Sequence, residues 1–84
     1  MYEVQIERGA EKDMKGLPKA MFQRVASAVL ELKNSPRPHG GKKLAGSSGD
    51  WRIRVGDYRV IYDIDNRAKL VRIWRVGHRR EVYR

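Results

Sequence analysis

Cysteine is absent from this chain of 84 residues. Neither a disulfide framework nor a thiolate metal site is therefore available, and the composition is compatible with a reducing compartment such as the cytoplasm. No apolar run approaches the roughly 20 residues that a membrane-spanning helix needs, so no membrane partner is expected. The length predicts a single domain over residues 1–84 with one modest core.

Acidic residues are scarce, because 10 Asp and Glu stand against 19 Lys and Arg and leave a formal charge of +9. Residues 1–36 hold six basic and five acidic residues, whereas residues 37–84 hold thirteen and five. The second part therefore carries +8 of the +9. This asymmetry favours a polyanion or an acidic protein as partner, and the alternative is a basic surface that only aids solubility.

Hydrophobic periodicity predicts an α+β fold. Period-two alternation indicates strands, and apolar residues at spacings of three and four indicate helices. The predicted elements in chain order are a strand over 2–7, a helix from 10 to about 16, a helix from 18 to about 34, and strands over 51–55, 58–65 and 69–76. The two helices should form an antiparallel hairpin on one face of a small antiparallel sheet, with a long loop between residues 34 and 50. A break in the alternation near Trp74 and Arg75 predicts a β-bulge.

Arginine alternates with apolar residues in the strand after the loop. Arg52 and Arg54 should project to one face and Ile53 and Val55 to the other. Arg59 in the next strand adds to the charged side. Because guanidinium matches phosphate geometry with paired hydrogen bonds, nucleic acid is the leading candidate ligand for this face.

With this order of elements and these motifs, the chain resembles a RelE-type toxin of the RelE/ParE toxin–antitoxin superfamily. The resemblance covers nearly the whole chain and rests on the element order, the loop NSPRPHGGKKLAG, the hairpin WRIRVGDYRVIYDID and the ending VGHRREVY. It implies a single RelE-like toxin domain, the toxin of a type II pair. It also implies a ribosome-dependent endonuclease that cuts mRNA in the A site through attack by the ribose 2′-hydroxyl, and the lack of a convincing metal site in the sequence favours a metal-independent mechanism. The implied partners are an acidic antitoxin, the ribosome and mRNA.

The resemblance also carries functional positions onto this sequence. The matching catalytic residues are Arg52, Arg54, Arg59, Arg79 and Tyr83. In the predicted strand over 51–55, two positions that are often lysine in the family are arginine here. Because arginine stays protonated, Arg52 and Arg54 are expected to bind phosphate rather than act as bases.

Other residues complete the predicted site. His78 is the candidate for proton transfer, with Glu81 as the second candidate, because histidine ordinarily titrates near neutrality. Contacts to RNA phosphates are expected from Lys42, Lys43, Arg75 and Arg80. Tyr83 is expected to stack on an mRNA base.

No cofactor or metal is predicted, since the two histidines are far apart in the chain and the aspartates near the hairpin lack a known metal-loop pattern. Two alternatives stay open at the level of sequence. One is a ParE-like, non-enzymatic inhibitor of DNA gyrase, and the other is a basic RNA-binding module without catalysis.

Overall fold

The computed structural model describes residues 1–44 and 49–78, which form two helices and a five-stranded sheet. The elements are β1 (Glu3–Ile6), α1 (Arg8–Lys15), α2 (Lys19–Glu31), β2 (Lys42–Lys43), β3 (Asp50–Val55), β4 (Tyr58–Asp65) and β5 (Leu70–His78). The predicted α+β fold, with helices on one face of the sheet, is confirmed.

The strand order in the sheet is β1-β5-β4-β3-β2. Three of the four pairings are antiparallel, but β1 runs parallel to β5, from the pair Glu3–Leu70 to the pair Ile6–Ile73. The sheet is therefore mixed, whereas the sequence predicted an antiparallel one. The loop after α2 also supplies the two-residue strand β2, which is too short to show an alternation in the sequence.

Each helix buries part of the apolar stripe that its periodicity predicted, but Phe22 and Leu30 of the α2 stripe are 39% and 56% exposed. Ala10 and Met14, four residues apart in α1, are buried, as are Val25 and Val29 in α2. The chain between the helices contains Pro18, which has no backbone N–H to leave unsatisfied and stands just before the first turn of α2.

The core lies between the helices and one face of the sheet. Alternate residues of the three long strands point toward the helices, and their neighbours point away. The strand residues that belong to this core are Ile53, Val55, Val60, Tyr62, Val71, Ile73 and Val76. Period-two alternation therefore determines which face of β3 and β4 can carry charge.

The predicted bulge is confirmed at the centre of the β4–β5 pair. Tyr62 stands opposite Ile73, but the next residue back, Ile61, stands opposite Arg75. Trp74 is the extra residue on β5, and the shift keeps both Ile73 and Val76 in the core.

A buried tyrosine holds the proline-rich loop against the sheet. The Tyr62 hydroxyl donates a hydrogen bond of 2.8 Å to the carbonyl oxygen of Pro36. Burial raises the pKa of Tyr62 to about 12, although the nearby charge of Arg37 acts in the opposite direction. A Cβ on Gly41 would lie 3.2 Å from Pro38 and 3.4 Å from the Tyr62 hydroxyl, so this close approach favours glycine.

No helix in the described part of the chain is both long and apolar enough to cross a membrane.

Candidate nucleic-acid interface

The predicted arginines of β3 and β4 lie on the sheet face opposite the helices, here called the open face. Ile53 and Val55 point into the core with 6% and 7% of their surfaces exposed. Arg52 and Arg54 therefore project the other way. Arg54 stands directly opposite Arg59 across the β3–β4 pair, so the two arginines share this face.

Arg59 is unusual because it is a buried charged residue, with 8% of its surface exposed. Its cross-strand neighbour on the other side is Gly77, which adds no side chain beside the guanidinium. Like charges directly opposite each other on a sheet are unfavourable, and burial weakens the screening by water. Two guanidinium groups side by side on one face, one of them largely shielded from water, are suited to binding an anion such as phosphate.

The two lysines of β2 divide between the faces. Lys42 pairs with Arg52 and extends the cationic row of the open face. Lys43 pairs with Trp51, which packs against the core from the helix side. Of the two predicted phosphate contacts, the structure therefore brings only Lys42 together with the arginines.

His78 lies at the end of β5 and pairs with Tyr58. The two rings make an edge-to-face contact with centroids 5.9 Å apart and an interplanar angle of 79°. Tyr58 also pairs with the core residue Val55, which places both rings toward the helix side. His78 is one register step from the Arg59–Gly77 pair, so it lies at the rim of the sheet rather than within the arginine row.

Arg75 is engaged by a helix. Its Nε donates to Asp13 Oδ2 over 2.8 Å, and the same oxygen accepts the backbone N–H of Val76 at 2.9 Å. Parallel pairing with β1 ends at Ile73, so this carboxylate satisfies a backbone group on the exposed edge of β5. The side chain of Arg75 therefore contacts Asp13 of α1 and does not join the arginine row of Arg52 and Arg54.

A second arginine cluster stands on the β5 side of the open face. Arg72 makes two hydrogen bonds of 2.9 Å to the two carboxylate oxygens of Asp63, its cross-strand partner. The hydrogen bond and charge of Asp63 raise the pKa of Arg72 above its ordinary value. The Arg72 guanidinium also lies over the Trp74 ring, 5.6 Å from the centroid.

Four residues of the predicted site lie outside the described residues: Arg79, Arg80, Glu81 and Tyr83. Within residues 1–44 and 49–78, no three His, Cys, Asp or Glu side chains come together as a possible metal-binding group.

Sequence reasoning did not single out Asp13 or Arg72. The position of Arg72 could have been predicted, because Arg72 alternates with Val71 and Ile73 and must lie on the face away from the core. The contact of Asp13 could not, since its partner Val76 is 63 positions away.

Comparison with known proteins agrees with this fold. The family described as ParE toxin of type II toxin–antitoxin system, parDE, matches residues 4–83. The toxin RelG of Mycobacterium tuberculosis is 33% identical, over 99% of this chain and 97% of that protein. The chain therefore belongs to the RelE/ParE superfamily, the toxins of type II toxin–antitoxin systems.

Solved structures extend the likeness to three dimensions. A chain of the RelBE2 toxin–antitoxin complex from Mycobacterium tuberculosis is 32% identical with a TM-score of 0.83, and covers 93% of this chain and 98% of its own length. A chain of the archaeal RelE–RelB complex from Pyrococcus horikoshii is 31% identical with a TM-score of 0.82, over 96% and 98%.

Proposed function

We propose that this toxin is a ribosome-dependent endoribonuclease that cleaves mRNA in the A site without a metal ion. The observation that carries the proposal is the Arg54–Arg59 pair, a buried guanidinium directly across from an exposed one on a basic sheet face. The reaction develops negative charge at the phosphate when the ribose 2′-oxygen attacks and the 5′-oxygen leaves. Preorganised cations stabilise that charge, and such groups commonly contribute a factor of about 100 or more in rate.

We propose roles for the described site residues from their position, and for the others from the family resemblance. Arg52, Arg54 and Arg59 bind the scissile phosphate, and Arg79 completes this set as the family resemblance implies. Tyr83 stacks on a base, also by resemblance. His78, at the rim of the sheet, is the candidate for proton transfer, with Glu81 as the second candidate, and the ribosome supplies the substrate geometry. Lys42 contributes a phosphate contact, and Lys43, Arg75 and Arg80 are expected to be weaker, nonspecific ones.

The proposal predicts a large loss of cleavage when the pair is broken. Arg54→Ala and Arg59→Ala should each lower the single-turnover rate by about a hundredfold or more, because charge stabilisation is lost in the transition state. The assay is in vitro translation with primer-extension mapping of the mRNA. Arg67→Ala is the matched control, since Arg67 is an exposed arginine in the β4–β5 turn.

Thermal unfolding should accompany each assay, because Arg59 is buried and its replacement can perturb the fold. Full cleavage by a folded Arg54→Ala or Arg59→Ala variant would show that the pair does not stabilise charge at the scissile phosphate. Absence of cleavage by the wild-type protein, together with a change in DNA supercoiling by gyrase, would favour the ParE-like alternative, which the matched family keeps open.

We also propose an acidic antitoxin as the protein partner. The related structures named above are toxin–antitoxin complexes. On this chain a shallow apolar groove runs between β1 and the helices, lined by Ile6, Met14, Phe22, Ala26 and Leu30. Ile6, Phe22 and Leu30 are 39%, 39% and 56% exposed, so a partner that covers them would bury apolar surface. Its carboxylates would face the +8 half of the chain.

A further inference from the structure

Trp74 is a large aromatic side chain that the fold leaves in contact with solvent. It is 39% exposed and is not part of the hydrophobic core, whereas Trp51 packs against that core. The bulge is responsible, because it inserts Trp74 as an additional residue between the core residues Ile73 and Val76. The backbone irregularity therefore presents an indole on the open face without interrupting the packing beneath it.

Two side chains hold this indole in place. Arg72 lies over the ring, and Arg72 is itself fixed by two hydrogen bonds to Asp63. The Arg72 and Asp63 side chains are 36% and 23% exposed, so the pair is partly shielded from water. An aromatic ring whose orientation is fixed in advance loses little conformational freedom when a flat ligand stacks on it.

Trp74 also lies in line with the cationic row. It directly precedes Arg75, which pairs with Ile61. Ile61 pairs in turn with Arg52, and Arg52 pairs with Lys42. Neighbouring strands are about 4.8 Å apart, so β5 and β3 are separated by about 10 Å at this level of the sheet. A short single-stranded segment whose phosphates contact Arg52 and Lys42 can therefore bring a base onto the indole.

We propose that Trp74, oriented by Arg72 and Asp63, is a stacking platform for a base of single-stranded RNA beside the phosphate-binding arginines. The inference rests on the proposed function for the identity of the ligand. The combination of a basic surface with an exposed, oriented aromatic ring is the arrangement by which proteins hold single-stranded nucleic acid. A protein partner that uses Trp74 as a hydrophobic anchor is the competing occupant.

The test measures binding without cleavage. The probe is a short single-stranded oligoribonucleotide with 2′-O-methyl riboses, which removes the attacking hydroxyl, and affinity is followed by fluorescence anisotropy at several salt concentrations. Trp74→Ala should weaken binding about tenfold or more, which equals about 1.4 kcal/mol. Trp74→Phe should retain most of the affinity because a ring remains. Gln23→Ala, which shortens an exposed uncharged side chain of α2, should bind like wild type.

The salt dependence separates stacking from charge. Trp74→Ala should leave the slope of log affinity against log salt unchanged, whereas Arg54→Ala should reduce it by about one. Quenching of Trp74 fluorescence by the probe, read in a Trp51→Phe background, gives a direct signal of stacking. Unfolding measurements on each variant confirm that the fold is intact.

Wild-type affinity in Trp74→Ala would overturn the proposal. Loss of antitoxin affinity by Trp74→Ala with RNA affinity retained would also overturn it, because the ring would then belong to a protein interface. The experiment contains neither ribosome nor cleavable RNA, so it is independent of the catalytic proposal. If the separate translation assay detects no mRNA cleavage even by the wild-type protein, the proposed endoribonuclease activity is refuted. The binding constants would still decide the role of Trp74.

Discussion

The Asp13 carboxylate joins α1 to the exposed edge of β5, and its removal should destabilise the protein. Asp13→Ala eliminates a charged hydrogen bond to the Val76 N–H and an ion pair with Arg75. The bond to the backbone is worth about 1.5–3 kcal/mol, since hydrogen bonds to charged groups fall in this range. The ion pair adds about 0–1 kcal/mol, because the Arg75 side chain is 59% exposed.

Opposing effects reduce this loss. Alanine has a higher helix propensity than aspartate, and a negative charge near the C-terminal end of a helix is unfavourable. Together these two effects stabilise the alanine variant by at most about 1 kcal/mol. The expected net loss in the free energy of unfolding is therefore about 0.5–4 kcal/mol. For a protein of this size that corresponds to a decrease in Tm of at least about 2 °C.

Urea and thermal unfolding measure the effect, with three companion variants. Asp13→Asn keeps an oxygen acceptor for Val76 and should lose less than Asp13→Ala. Arg75→Gln removes only the exposed ion pair and should change stability by less than about 1 kcal/mol. Glu11→Ala, which breaks the exposed Glu11–Lys15 pair of 3.4 Å in the same helix, is the control and should lie within about 0.5 kcal/mol of wild type.

Amide hydrogen exchange gives a local signal. The Val76 N–H should exchange faster in Asp13→Ala than in Glu11→Ala, because it loses its acceptor. If Asp13→Ala is as stable as Glu11→Ala, or if Val76 exchange is unchanged, the carboxylate does not hold the edge of β5 and the reasoning is wrong.

Three further predictions concern the site, the loop and the partner. His78→Ala should slow single-turnover cleavage and change its pH profile near neutrality if His78 transfers a proton, whereas an unchanged profile would leave it as a packing partner of Tyr58. Burial raises the pKa of Tyr62 from its ordinary value of 10.0 to about 12 in the folded protein, so its contribution to stability is complete below pH 10 and is lost as the pH rises toward 12. Over this window the free energy of unfolding should fall by up to about 3 kcal/mol more in wild type than in Tyr62→Phe, and parallel pH profiles in urea would contradict the assignment. Phe22→Asp and Leu30→Asp should weaken antitoxin binding at least about tenfold in titration calorimetry while mRNA cleavage persists, and wild-type binding by both would place the antitoxin elsewhere.

The charged face could be predicted because its cause is local. Successive residues of a strand point to opposite sides, so the run from Trp51 to Val55 separates its arginines from its branched apolar residues in any antiparallel sheet. The same reasoning predicted the bulge, since Ile73 and Val76 can both be buried only if one residue is inserted between them. The helix positions followed in the same way from their apolar spacing.

Contacts between distant segments were decided by the tertiary structure alone. The parallel position of β1 beside β5, and the bond from Asp13 to Val76, join residues more than 60 positions apart. The hydroxyl of Tyr62 finds the Pro36 carbonyl in a loop 26 positions earlier. Such pairings depend on which surfaces remain unsatisfied once the sheet and helices have packed, and no pattern of neighbouring residues encodes them. For the same reason the sequence could show that Arg54 and Arg59 are charged strand residues, but only the register of β3 on β4 places one directly opposite the other.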